Sequence, residues 1–133
     1  MKVIGNLTKD AIIRAAVSEG LTVSSAVGSG VVFETANTQG IAATYDTSND
    51  KVVIVFRDSG ANGQAVVGTV SGDSISFGTP VQFESGDVNQ NSVVFDSSNN
   101  KVIISYVDTG NSDYGTSVVG TVSGTSISFG TPV

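Results

Sequence analysis

The chain contains the same stretch twice, and this duplication limits its fold more than any other feature. Residues 66–80 (VVGTVSGDSISFGTP) and 118–132 (VVGTVSGTSISFGTP) lie 52 positions apart and agree at 14 of 15. Ahead of them, residues 31–60 match 81–110 at a spacing of 50, so the second unit has two extra residues, in the loop holding Asn111 to Tyr114. Surface loops accept such insertions. A period of this length marks an architecture in which each unit covers its apolar faces with its neighbours.

Each unit reads as four strands: 41–45, 52–57, 65–70 and 74–77, then 92–95, 102–107, 117–122 and 126–129. The second strand of each (VVIVFR, VIISYV) is an apolar run with little alternation, the pattern of a strand covered on both faces. The fourth (SISF) alternates as a half-exposed edge strand does. Asp46 and Asp96 are placed to open the first hairpin loops as Asx-turns, and Ser-Gly-Asp-Ser and Ser-Gly-Thr-Ser form the tight turns before the fourth strands. The expected fold class is therefore all-β: two four-stranded antiparallel β-propeller-like blades, in units of about 31–80 and 81–133 within a repeat domain spanning 21–133.

Two blades leave two faces open, so the ring is expected to close by oligomerisation with four, six or eight blades. Three chains giving six blades, a homotrimer, is the favoured count. Val31, Val32, Phe33 and Glu34 correspond to Val81–Glu84, the continuation of an outer strand past Pro80. They are expected to act as a ring-closing strand, supplying the end of another subunit's last blade.

Residues 1–20 differ in kind. Thr8 is a candidate N-cap, Leu7 and Ile12 are spaced as a hydrophobic staple, and Gly20 follows as a stop. Residues 8–19 thus read as a short α-helix, with Ile12, Ile13, Ala16 and Val17 on one stripe. Leu7 and these four are the expected anchor or oligomerisation contacts; docking on its own domain is the other use of such a stripe.

Composition narrows the chemistry. There is no Cys, His or Trp, and the net charge is −6, split between +1 over residues 1–20 and −7 over the remainder. No disulfide, thiolate nucleophile or imidazole base is available. An acidic chain has no general attraction for nucleic acid. Neither a secretory signal nor an apolar run long enough to enter a membrane is evident, so synthesis in the cytoplasm is expected. No catalytic residue, cofactor or enzymatic activity is expected. Asp108, Asn111 and Asp113 share one loop and form a weak calcium candidate of hard oxygen ligands. The paired aromatics Phe33, Tyr45, Phe56, Phe77, Phe83, Phe95, Tyr106 and Phe129 read as core. Tyr114, in the inserted polar loop, reads instead as a ligand contact or as a cap on the blade below.

The unit Y/F-D-x-S-N-x-K-V followed by V-V-G-T-V-S-G-x-S-I-S-F-G-T-P-V is carried by Tyr45–Val52 with Val66–Val81, and by Phe95–Val102 with Val118–Val133. It resembles propeller-type repeats found in arrays in bacterial surface proteins and in bacteriophage virion proteins. The resemblance spans about three quarters of the chain and carries no catalytic motif. It implies a structural role in the virion, as a tail, fibre or capsid-decoration component with other virion proteins as partners. The alternative is a lectin-like adhesion module binding a cell-surface glycan.

Overall fold

A computed structural model describes residues 28–133; the expected helix and its stripe of Leu7, Ile12, Ile13, Ala16 and Val17 lie outside the described residues. The described chain is all-β and antiparallel. In the first sheet β1 (Gln39–Asp46), β2 (Lys51–Arg57), β3 (Gly63–Ser71) and β4 (Ser74–Phe77) run in order, and β5 (Val81–Glu84) also pairs with β3. The second sheet repeats the order with β6 (Val88–Asp96), β7 (Lys101–Asp108), β8 (Tyr114–Ser123) and β9 (Ser126–Phe129). A 3-10 turn, Thr109–Asn111, separates β7 from β8. Among the described residues no helix is long and apolar enough to cross a membrane.

Local chemistry sets the hairpins. Asp46 Oδ1 accepts from the Ser48 and Asn49 backbone N–H at 2.9 and 3.0 Å, and Oδ2 accepts from Asn49 Nδ2 at 2.8 Å. Asp96 repeats the arrangement with Ser98 and Asn99. Both loops leave through a left-handed residue, Asp50 and Asn100, each at φ 54°. The β3–β4 and β8–β9 turns need a positive φ at their first central residue, which Gly72 and Gly124 adopt without a Cβ clash. The strands run further than their apolar cores: β6 begins at Val88, four residues ahead of the expected start, and β8 at Tyr114, three ahead. Backbone ladders do not depend on side-chain polarity, so Asn89, Gln90 and Asn91 stay in the strand.

The sheets stack, and their first strands β1 and β6 run side by side. Between them lie Val53, Val55, Ala65 and Val67 from the first sheet and Val102, Ile104, Tyr106, Val118 and Ile127 from the second. Phe83 of β5 reaches across to Tyr106 and Phe129, with ring centroids 5.2 and 5.9 Å apart. Tyr106 donates to Glu84 Oε2 at 3.0 Å, and its burial together with that carboxylate holds the phenol protonated far above its ordinary range.

Two expectations change here. Both second strands read as doubly covered, yet neither is covered along the whole of its outer face: Val52 and Ile54 of β2 are half-buried and Ser105 of β7 is exposed, and among the described residues no third sheet lies over them. Tyr45 reads as core but is half-exposed, donating to Asp50 Oδ1, whereas its counterpart Phe95 packs against the inter-sheet core. Tyr45 projects from the uncovered side of its sheet.

Ile104 is fully buried between the sheets, so Ile104→Ala costs about 2–5 kcal/mol by urea unfolding. Asp58 behaves as a turn anchor: partial burial pushes its carboxyl up, but hydrogen bonds from Gln64, Asn62 and Gly60 outweigh this and lower it. A carboxyl lowered in the folded state leaves the unfolded chain binding more protons. Its stabilisation is therefore present above the ordinary Asp range and lost as pH falls through the lowered folded value. Unfolding curves across acid pH in wild type and Asp58→Asn isolate that component.

Candidate functional site

The described surface is concave where β1 and β6 begin. Each strand carries a β-bulge there, between Gln39 and Ala42 in one sheet and between Asn89 and Ser92 in the other. Bulges re-aim side chains and cluster beside functional sites. Gly40 supplies the positive φ of the first bulge (57°), but the same position in β6 is Gln90 at φ 53°. A non-glycine residue held there costs about 1–2 kcal/mol.

Between the bulges opens a groove of about 680 Å³, lined by Gln39, Gly40, Arg57, Val88, Asn89, Gln90, Asn91, Val107 and Asp113. Its one basic side chain is neutralised. Arg57 pairs with Asp87 Oδ1 at 2.9 Å and donates weakly to Gln39 Oε1 at 3.4 Å. Asn91 Nδ2 donates to the Gly40 carbonyl across the sheets at 3.2 Å, while its Oδ1 is buried with no hydrogen-bond partner among the described residues. An orphaned acceptor of this kind costs about 1–3 kcal/mol unless something donates to it. Side-chain amides and one carboxylate, with Val88 and Val107 also in the lining, suit a neutral, hydroxyl-rich ligand held by hydrogen bonds.

The expected site residues scatter around this groove. Asp113 lines it, in left-handed backbone at φ 60°. Asp108 is buried beside Gly86 and Gly110, and Asn111 is exposed in the 3-10 turn. Among the described residues no three His, Cys, Asp or Glu side chains come together as a metal cluster. Tyr114 is 63% exposed and opens β8 opposite Asp108. Val31 and Val32 are exposed and outside any strand, while Phe33 packs on Phe56 and Phe77 at 5.2 and 5.7 Å. Glu34 Oε1 accepts from the Ala36 backbone N–H at 2.8 Å.

Sequence reasoning missed the amides of the groove, because they lie in polar stretches that read as loops. One signal was present: Gln90 stands where the first unit has Gly40, which marks a position of positive φ.

Replacing Gln90 with Gly relieves the left-handed backbone and raises stability by about 0.5–1 kcal/mol, whereas Gln90→Val lowers it by at least about 1 kcal/mol. Urea titration of both variants checks the sign.

Comparison with family models, with curated proteins and with solved structures finds no match for this chain.

Proposed function

We propose that this chain is a non-enzymatic structural component of a bacteriophage virion, in the tail, a fibre or a capsid decoration. In this reading its two sheets are neighbouring blades of a β-propeller that further copies complete, three copies being favoured. The observation that carries it is the stacking of two sheets of identical strand order with their first strands adjacent. Each sheet leaves an outward face bearing exposed apolar side chains: Ile41, Tyr45 and Val70 on one, Val94 and Val119 on the other. Such faces call for neighbours. The resemblance of the repeat supports the virion assignment, and residues 1–20 are the proposed anchor.

A second reading is favoured by the groove: a lectin-like adhesion module whose amides take sugar hydroxyls, with Tyr114 as a stacking ring at the rim.

Light scattering of the purified chain is expected to give two, three or four copies, three being favoured, and a monomer overturns the closed ring. A protein absent from purified particles by immunogold labelling overturns the virion reading, and unchanged incorporation after deletion of residues 1–20 overturns the anchor. On a glycan array, binding that is lost in both Asn91→Ala and Tyr114→Ala establishes the lectin reading; no binding to any glycan removes it.

A further inference from the structure

Phe83 shows how one unit is joined to the next. β5 pairs with β3 through Glu84 opposite Gly63, Gln82 opposite Gln64 and Val81 opposite Ala65, which leaves Phe83 bulged between them. Its ring lies over Gly63 so closely that a Cβ there would collide with it, and the same ring packs on Tyr106 and Phe129 of the second sheet. Just upstream, Gly78 passes over the β8–β9 turn with room for no Cβ against the Thr125 carbonyl.

Residues 28–34 make the same contacts on the first sheet. Their sequence, GSGVVFE, aligns with GTPVQFE at 78–84. Gly28 meets the Asp73 carbonyl as Gly78 meets that of Thr125. Phe33 packs on Phe56 and Phe77 at 5.2 and 5.7 Å, inclined at 55° and 61°; Phe83 packs on its own pair at 5.2 and 5.9 Å, inclined at 53° and 65°. Segment 28–34 is thus seated as the tail of a sheet preceding the first. Yet Val31–Glu34 are in no strand, and they pair with none of the described residues.

The complementary half lies on the second sheet. Ser117 and Val133 exchange two backbone hydrogen bonds of 2.9 Å, as their counterparts Ala65 and Val81 pair in the first sheet. The next positions, Thr116 and Gly115, have no such partner among the described residues. Gly115 is the counterpart of Gly63, but none of the described residues lies within 4 Å of where its Cβ would be. Val119 is 47% exposed where its counterpart Val67 is 1%, and Val70 is 55% exposed where Val122 is 7%.

We propose that a second copy of this chain docks head to tail on that edge. Val32 and Glu34 of one copy extend the β8 ladder of the other opposite Thr116 and Gly115, and its Phe33 ring covers Gly115. From residue 32 onward the contact repeats between chains the junction that Gln82–Glu84 make within one, the place of Val31 on that ladder being held already by Val133, and it rests on the oligomeric reading above.

Gly115→Val tests it in the full-length chain, because a side chain there meets open space in one copy and the Phe33 ring in two. The expected result is loss of the oligomer by native mass spectrometry, with an unchanged circular dichroism spectrum. The chain has no cysteine of its own, so a Val32→Cys, Thr116→Cys double variant is expected to give disulfide-linked multimers on a non-reducing gel, and Val32→Cys, Ser128→Cys none. An oligomer that tolerates Gly115→Val and does not cross-link overturns this junction while leaving the oligomeric reading intact. An internal disulfide also overturns the junction. A monomeric wild type overturns both.

Discussion

Covering apolar sheet faces is the requirement around which the rest of this structure is arranged, and the Phe83 ring is the contact that meets it. It belongs to β5 by backbone, to the second sheet by packing, and to Gly63 by close approach. Burying such a ring contributes about 1.5–3 kcal/mol, and each well-placed aromatic partner about 0.5–1.5 kcal/mol more. The Arg57–Asp87 bridge beside it is partly exposed and contributes about 0–1 kcal/mol. Apolar packing therefore holds the sheets together, while the ion pair and the Ser48–Asn100 hydrogen bond orient them.

The two outward faces differ, which bears on how copies could meet. The face of the first sheet bears Val52, Ile54, Phe56 and Phe77, whose counterparts are the inter-sheet residues of the second. The face of the second sheet has Ser105 and Ser117 where the first has buried Val55 and Ala65. Their hydroxyls bond each other at 2.8 Å. A pair satisfied in this way can be covered without leaving an orphaned group. Unlike faces favour a heterologous, head-to-tail contact over a two-fold one.

The groove stands apart from this packing. It forms where two bulges interrupt neighbouring ladders, and there alone the second unit puts a long amide side chain at a positive φ that the first assigns to glycine. Strain of this kind persists where surrounding structure enforces it, and it clusters where ligands bind. The groove gathers amide donors and acceptors, Gln39, Asn89, Gln90 and Asn91. No imidazole or thiol exists in the chain to transfer a proton or attack a bond.

Much of the fold was legible because its signals are local. The duplication, the apolar second strands, the Asx-turn acids and the Gly72 and Gly124 turns each depend on a few neighbouring residues, and both sheets follow from them. Tyr45 and Ser105 were misread because identical local pattern does not say which copy of a face is covered. Asn89, Gln90 and Asn91 were missed because polarity hides a strand whose ladder is made by the backbone. The amino-acid order alone thus determined an all-β chain of two like units. Tertiary structure decided which faces are buried, where the bulged strand ends enclose a polar groove, and that Phe33 sits as Phe83 does. Burial is a property of what lies opposite a side chain, and a single strand's sequence does not encode its neighbour.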